Sequence, residues 1–355
     1  MSWFWFSIIA LLCWSGSDLF SKIGCRREND KYSHLKMLTA VGTVMGIHAL
    51  YEIFIRKVEI SFDIILQYLP VALLYIISMM LGYIALRYIE LSISSPICNA
   101  SGIVVAIMMV FTMIIKGQTI DGITTSGIIA IVIAIACIGF GVISLGFVEA
   151  REDEELRAKR QMIGNRKYAK SALAFILPIA YCVLDSLGTF FDTAVIGKIT
   201  NSFIIRDNSL SGQYLTEFAN GVPENIDTLS QEMQDYATMM EDAASSSANV
   251  AYELTFFFVG LAALIFLLVK KQKYVAKEEG AKFTGAIFET AGQFAYIKAI
   301  ASESTLMFAA PIISSYCVAS MIWSAIFLKE RLSWKHYISI ATVVTGIIIL
   351  GVMDL

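Results

Sequence analysis

Long runs of apolar residues are the feature of this sequence that most restricts its fold. Of the 355 residues, 57% are hydrophobic and 16% are charged, whereas a soluble domain carries about 25% charged residues. A run of about 20 apolar residues crosses the hydrocarbon core of a bilayer as a helix. The sequence therefore predicts an all-α polytopic membrane protein with ten transmembrane helices. The predicted spans are residues 3–24, 34–55, 64–86, 92–115, 122–147, 171–197, 250–269, 282–300, 304–328 and 334–353.

Two polar segments interrupt the spans. Residues 148–170 are rich in both basic and acidic side chains and are expected to form a charged cytoplasmic linker. Residues 198–249 form a longer, acidic insertion, which is expected to lie outside the cytoplasm. Within it, apolar residues follow one another at helical spacing after a proline, which predicts an amphipathic helix. That helix either lies on the outer face of the protein or forms a lid over a pore mouth. Its residues are Pro223, Ile226, Leu229, Met233, Tyr236 and Met240.

The distribution of basic residues predicts the orientation in the cell membrane. Most of the 27 Lys and Arg residues lie in the connections after spans 1, 3, 5, 7 and 9. The positive-inside rule places those connections in the cytoplasm and both termini outside. The apolar start, Met1 to Phe6, is expected to belong to the first membrane helix and not to a cleaved signal, because no basic segment precedes it.

Several functional classes lack support in the sequence. The net charge of −3 gives no reason to expect a nucleic-acid partner. The six cysteines form no CxxC pair and mostly lie in apolar runs, so they are interpreted as packing residues and not as a metal site or disulfide framework. There is no HExxH, GxSxG, Walker or GxGxxG motif, so neither enzymatic activity nor a cofactor is expected, and transport would not be driven by ATP.

The two halves of the chain share a pattern. Residues 1–147 and 171–355 each contain five predicted spans, with a basic residue, Arg87 or Lys298, at the end of the third. A helix with a proline follows in each half, at Pro96 and Pro311. An odd number of spans inverts the second repeat relative to the first. Inverted repeats are typical of secondary transporters, whose solute site lies near the bilayer midplane between the halves.

The stretch from Gln293 to Gly351 resembles the EamA domain of the drug/metabolite transporter (DMT) superfamily. The residues that carry the resemblance are Ala301–Thr305, Ala310–Pro311, Phe327–Ser333 with its Glu330–Arg331 pair, and Thr345–Gly346. The first half is similar around Trp14–Gly16, Lys22 and Pro96, but it has Lys116–Gln118 where the family usually shows Glu-Arg.

This resemblance implies a ten-helix transporter of metabolites, amino acids or drugs, and it favours export. From their positions near the short turns between spans, Pro96, Pro311, Glu330 and Arg331 are expected to act at gates or helix turns. Members of the family are often described with cytoplasmic termini, which is opposite to the orientation that the basic residues predict.

Four acidic residues inside predicted spans are the strongest site candidates. An Asp at the centre of a membrane helix costs roughly 3 kcal/mol on insertion scales, so such residues usually face a cavity or a partner. Asp185 and Glu289 lie mid-span, and a cavity formed mainly by spans 1, 6 and 8 is expected around them. There they would bind a cation, a proton or an amino group. The candidate binding residues are Asp185, Glu289, Gln293, Asp18, Asp192 and Tyr296.

Simpler interpretations remain open for some of these residues. Asp18 is equally compatible with hydrogen bonds to nearby serines or with an ion pair to Lys22. Asp192 is seven residues from Asp185, on the same helix face, and is also compatible with exposure to water at the end of span 6. In span 2, His48 and Glu52 begin a string of charged residues at intervals of four, which favours an interfacial ion-pair ladder over a proton relay.

The function that these observations favour is secondary transport of a small solute by alternating access, with export and proton coupling as hypotheses. The alternative is a non-transporting sensor or scaffold that uses residues 198–249 to bind a partner. The expected partners are the lipid bilayer, a small solute and protons or another coupling ion. The oligomeric state is left open.

Overall fold

The computed structural model describes residues 2–25, 30–88, 91–116, 125–150, 172–207, 218, 230–300, 303–327 and 333–354. Every regular element in these residues is an α-helix. In chain order the helices are α1 (Trp3–Cys25), α2 (Ser33–Phe54), α3 (Phe62–Tyr88), α4 (Leu91–Asn99), α5 (Ser101–Lys116), α6 (Thr125–Ala150), α7 (Ala172–Arg206), α8 (Gln231–Val269), α9 (Ala276–Ala299), α10 (Glu303–Ser314), α11 (Tyr316–Phe327) and α12 (Trp334–Asp354).

Five of these helices, α1, α2, α3, α7 and α8, have the length and apolar composition needed to cross a membrane. Shorter apolar stretches lie in the α4–α5 pair, in α6, in the α10–α11 pair and in α12. The predicted eighth span forms a helix, α9, but it belongs to neither group. The reason is its composition, because Glu279, Lys282, Glu289 and Lys298 interrupt its apolar residues.

Two predicted spans are each divided into two helices. The fourth span is broken at Ala100, between α4 and α5, and the ninth is broken at Ser315, between α10 and α11. The backbone at each break closes a tight turn, since Ala100 N donates to Ile97 O and Ser315 N donates to Ile312 O. Each break follows a proline by four residues, Pro96 in α4 and Pro311 in α10.

Two other helices are longer than predicted. Helix α7 continues to Arg206, and α8 starts at Gln231 and runs for 39 residues. The polar ends of the predicted insertion therefore continue membrane helices in the described residues. The first part of α8 is polar but rich in Ala, Glu, Gln and Met. These residues have good helix propensity, so the helix forms there without an apolar run. Met233 of the predicted stripe packs together with Ala237, Ile204 of α7 and Phe218, and Tyr236 and Met240 of the stripe are partly buried against this cluster. Pro223, Ile226 and Leu229 lie outside the described residues.

The distribution of polar and apolar side chains is that of a membrane protein. Large apolar side chains such as Phe111, Phe140 and Phe258 are more than half exposed, whereas Ser, Thr and several ionisable side chains are buried. Exposed apolar surface on this scale suits lipid contact. Polar groups inside such a bundle link helices or line a cavity.

The helices pack in pairs across the two halves. Helix α1 packs extensively on α9, α3 on α7, α2 on α8 and α6 on α12. The α2–α8 crossing is close because a Cβ atom on Gly42 would lie 2.7 Å from Phe256 O and 3.0 Å from Gly260 Cα. Helices α5 and α10 also cross closely, since a Cβ atom on Gly102 would lie 2.4 Å from Ala310 O. Larger residues at these glycines would push the helices apart.

Candidate functional site

A cavity lies at the centre of the bundle, next to both helix breaks. The sequence predicts a cavity formed mainly by α1, α7 and α9. These helices contribute to the described lining, but more of it comes from α3, α4, α5, α8, α10 and α11. The centres of water molecules can occupy a volume of about 90 Å³ in this cavity. Since one water needs roughly 10–15 Å³ of such space, the cavity has room for several waters or a small solute.

Three of the predicted carboxyl groups, Asp18, Asp185 and Glu289, line this one cavity. The structure thus brings together residues that are far apart in the sequence. Each is partly exposed, whereas most of the neighbouring serines are buried. Gln293 and Tyr296 also contribute to the lining.

The hydrogen bonds of the cavity carboxyl groups come from hydroxyl groups on the broken helices. Asp18 Oδ2 accepts from Ser95 Oγ at 2.9 Å and from Ser320 Oγ at 3.1 Å. These bonds join α1 to α4 and α11, so the partners are serines on other helices. Asp185 Oδ2 accepts from Ser101 Oγ at 2.7 Å, immediately after the break at Ala100. Ser17 of α1 and Glu289 of α9 line the same cavity.

Asp192 has a different environment from the other three acidic residues. Its side chain is 0% exposed and does not line the cavity. Tyr68 donates to Oδ1 at 2.7 Å, and Tyr75 donates to Oδ2 at 3.1 Å. The structure therefore contradicts the interpretation that Asp192 faces water at the end of its span. The physical reason is that α7 continues for almost four turns beyond Asp192, which keeps this residue within the bundle.

Two more residues complete a polar layer around Asp192. The hydroxyl groups of Tyr75 and Tyr296 are 2.5 Å apart, and Thr189 Oγ1 lies within 3.2 Å of both. We call Tyr68, Tyr75, Thr189, Asp192 and Tyr296 the tyrosine layer. The cavity lining reaches Ser21 and Leu86 in one direction and stops at the tyrosine layer in the other. This layer joins α3, α7 and α9 and closes one end of the cavity.

A second cavity lies near the ends of α2, α7 and α9 and beside residues 240–247 of α8. Its lining includes Arg56, Arg206, Asp242 and Lys298. Lys298 Nζ donates to Asp242 O at 2.9 Å and to Asp242 Oδ1 at 3.1 Å, and it also contacts Ser245 and Ser246. Lys298 thus ties the end of α9 to the extension of α8.

Three polar atoms around the central cavity have no hydrogen-bond partner in the described part of the protein. They are Trp14 Nε1, Tyr83 Oη and Gln293 Nε2. All three residues line the cavity, and Gln293 is only 4% exposed. Trp14 Nε1 lies close to Gly292, the neighbour of Gln293, where a Cβ atom would be 2.6 Å away. Buried donors normally have partners, so these groups are available to bind a ligand.

A separate acidic group lies between α2 and α8. His48 Nδ1 lies 2.8 and 2.9 Å from the two carboxyl oxygens of Glu253, which is 0% exposed. Asn249 Nδ2 donates to the same carboxyl group at 3.0 Å, and Glu52 lies 3.7 Å from His48 Nε2. Glu253 thus extends the predicted ladder across to a second helix.

The predicted gate and turn residues fall into two groups. Pro96 and Pro311 lie in the helices that end at the two breaks. Glu330 and Arg331 lie outside the described residues. The sequence reasoning did not identify Tyr68 and Tyr75, although one signal was present. These tyrosines are seven residues apart on α3, as Asp185 and Asp192 are on α7, and α3 packs on α7.

Comparison with protein families matches residues 238–352 to the EamA-like transporter family. The matched part of the chain is similar to an EamA domain. The EamA domain belongs to the DMT superfamily, as the resemblance in the second half predicts. The match begins in α8 and ends in α12, so it includes α9 with Glu289 and both α10 and α11. The first-half residues that resemble the family lie outside it.

Solved structures provide a comparison for the whole chain. One crystal structure, titled only as that of a protein, aligns with a TM-score of 0.57 and 12% sequence identity. The alignment covers 99% of this chain and 97% of the other. At this identity the likeness shows a shared fold and nothing about function. A search of curated proteins finds no match.

Proposed function

We propose that this EamA-domain protein is a secondary transporter that moves a small solute across the membrane by alternating access. The observation that carries the proposal is the position of the central cavity. It lies beside two broken helices and is closed at one end by the tyrosine layer, with the second cavity near the same end of α7. Discontinuous helices at corresponding positions in two halves are typical of a transporter's solute site.

The packing of the helices supports two inverted repeats of five. If the halves are exchanged, the α1–α9 contact corresponds to the α3–α7 contact, while the α2–α8 and α6–α12 contacts each correspond to themselves. Individual residues follow the same relation. Trp14 of α1 packs against Gly292 of α9, and Tyr181 of α7 packs against Gly82 of α3. This pairing aligns Glu289 with Met79, so the carboxyl group of α9 has no acidic counterpart in α3.

In the proposed mechanism, this conformation exposes the cavity toward the ends of α1 and α3. The tyrosine layer then opens while the opposite end closes, so that the solute leaves on the other side. The bonds of Asp18 to α4 and α11, and of Asp185 to α5, couple the site to both broken helices. A solute that displaces a serine hydroxyl from these carboxyl groups would alter the contact between the halves.

Export and proton coupling are further parts of the proposal. The direction rests on the family resemblance. Coupling to protons rests on the three carboxyl groups in one cavity, because such groups are able to bind either a proton or a cationic solute.

The test of alternating access uses Cys98, which lines the central cavity. Membrane-impermeant methanethiosulfonate reagents are added to right-side-out and to inside-out vesicles, and peptide mass spectrometry follows modification at Cys98. A Thr238→Cys variant, exposed on the extension of α8, marks one side of the membrane. Alternating access predicts modification of Cys98 from both sides, while residue 238 reacts from one side only.

The sensor or scaffold alternative gives a different result in the same experiment. A protein that does not transport has no need to expose its central cavity to both sides. Modification of Cys98 from a single side, under all conditions that keep the protein folded, would contradict the proposed function.

A further inference from the structure

The charged side chains that line the central cavity are all acidic in the described residues, and one basic side chain, Lys22, lies at its edge, where Nζ donates to Leu86 O at 3.3 Å. Asp18, Asp185 and Glu289 line it, and no Lys, Arg or His does so among the described residues. The hydrogen bonds to Asp18 and Asp185 all end on Oδ2. Oδ1 of each therefore has no protein donor in the described part of the chain. A group of carboxylates inside a membrane protein needs protons or positive charge to offset the cost of burial.

Five aromatic rings form a continuous wall along the same cavity. In order of contact they are Tyr252, Tyr75, Tyr296, Trp14 and Tyr316, with successive ring centroids between 5.1 and 6.1 Å apart. All five line the cavity. We call them the aromatic wall. Aromatic faces attract organic cations, and the attraction is strongest where water is excluded.

The N–H donors without partners set a second requirement for a ligand of the cavity. Gln293 is buried and lines the cavity, and its Nε2 has no acceptor in the described structure. The indole nitrogen of Trp14, another lining residue, also has no acceptor there. These N–H groups cannot interact favourably with a cationic centre. They require an acceptor oxygen or nitrogen on the ligand, placed away from its positive charge.

We propose that the central cavity binds a small organic cation that also carries a hydrogen-bond acceptor. Its ammonium group lies between the cavity carboxylates and the aromatic wall, and its acceptor receives hydrogen bonds from Gln293 and Trp14. The proposal rests on the proposed function, because it names the class of solute that the same site transports.

The first experiment measures the charge preference of the cavity without knowledge of the natural solute. Cys98 lines the same cavity as Asp18 and Asp185. Its modification rate is compared for two methanethiosulfonate reagents, one carrying a trimethylammonium group and one a sulfonate. The ratio of the two rates is divided by the ratio measured for the free thiol 2-mercaptoethanol, so that the intrinsic reactivities of the two reagents cancel. We expect a preference for the cationic reagent of at least about tenfold, because several carboxylates lie nearby in a medium of low polarity.

The variant Glu289→Gln should reduce this preference several-fold, whereas Glu232→Gln should leave it unchanged. Glu232 is the matched control because it is exposed in the first turn of α8, outside the cavity. A normalised ratio near one in the unaltered protein overturns the proposal. So does failure of both reagents to reach Cys98, because a cavity that admits no trimethylammonium group cannot bind the proposed ligand.

The second experiment tests the acceptor. Choline and ethyltrimethylammonium have the same cationic group, but only choline has a hydroxyl group. We expect choline to protect Cys98 from modification at a several-fold lower concentration. Gln293→Leu should abolish this difference, and the exposed control Gln231→Leu should retain it. Equal protection by the two cations, or protection by neither, contradicts the proposal.

The outcomes separate this proposal from the proposed function. Modification of Cys98 from both sides without a charge preference would support transport and exclude the cationic solute. A strong preference for the cationic reagent from one side only would support a cation-binding site and exclude alternating access.

Discussion

Asp185 and Asp192 lie on the same face of one helix, two turns apart, yet they belong to different regions. Asp185 is partly exposed to the central cavity and accepts one hydrogen bond from a serine. Asp192 is enclosed and accepts hydrogen bonds from two tyrosines on α3. The same division separates the cavity residue Glu289 from the enclosed Glu253. Carboxyl groups in this protein therefore have two roles, and the neighbouring helices decide which role each one has.

The largest expected effect on stability is at the enclosed Glu253. His48→Ala removes the side chain that contacts both of its carboxyl oxygens. Glu253 is buried, and leaving a buried charged group without its hydrogen-bond partner costs about 3 kcal/mol. Thermal and denaturant unfolding in detergent would measure the change in the free energy of unfolding. A cost below about 1 kcal/mol would show that the pair does not hold α2 to α8.

The tyrosine layer should be almost as sensitive. Asp192→Ala leaves the hydroxyl group of Tyr68 without its acceptor, whereas the hydroxyl group of Tyr75 keeps Thr189 and Tyr296 as partners. One unsatisfied buried group costs roughly 1–3 kcal/mol, so we expect a loss of about 2 kcal/mol in the same unfolding assay, together with faster modification of Cys98 from the side of α8's extension. The exposed Asp235→Ala is the control. Unchanged stability and an unchanged rate of Cys98 modification would mean that the tyrosine layer neither stabilises the fold nor closes the cavity.

The cavity carboxyl groups should show the opposite behaviour, with a loss of function and little loss of stability. Glu289→Gln and Asp185→Asn keep the shape of each side chain but remove its negative charge. We expect uptake or efflux of the transported cation in vesicles to fall at least about tenfold, as one lost ionic contact predicts. The unfolding free energy should change by about 1 kcal/mol or less.

The same two variants test proton coupling. If these groups carry the coupled proton, then the dependence of transport on pH should flatten when either is made permanently neutral. Normal transport by both variants with an unchanged pH profile would exclude coupling through Asp185 and Glu289.

The smallest expected effect is at the second cavity. Lys298→Ala removes the contacts between α9 and the exposed Asp242, and exposed ion pairs contribute about 1 kcal/mol or less. We expect a correspondingly small loss of stability in the unfolding assay. Lys57→Ala, which changes an exposed lysine of the same cavity, is the control. A loss as large as that of His48→Ala would place Lys298 among the enclosed, structural groups.

Much of the local structure could be predicted from the sequence, because apolar runs and prolines act locally. The apolar runs predicted the helices, although α8 begins well before its apolar run. The prolines indicated which helices of each half are unusual, but not that the breaks fall at Ala100 and Ser315. The close crossing of α5 and α10 at Gly102 depends on two segments about 200 residues apart, and no local pattern describes it.

The sequence by itself determined that this is a helical membrane protein with acidic residues in its interior, and that its second half resembles the EamA domain. Membrane insertion depends on summed hydropathy, and an ionised group in a span is costly wherever it occurs. Only the tertiary structure decided that Asp18, Asp185 and Glu289 share a cavity while Asp192 is enclosed by tyrosines. The physical reason is that the environment of a side chain depends on the helix packed against it. That partner can come from any part of the chain.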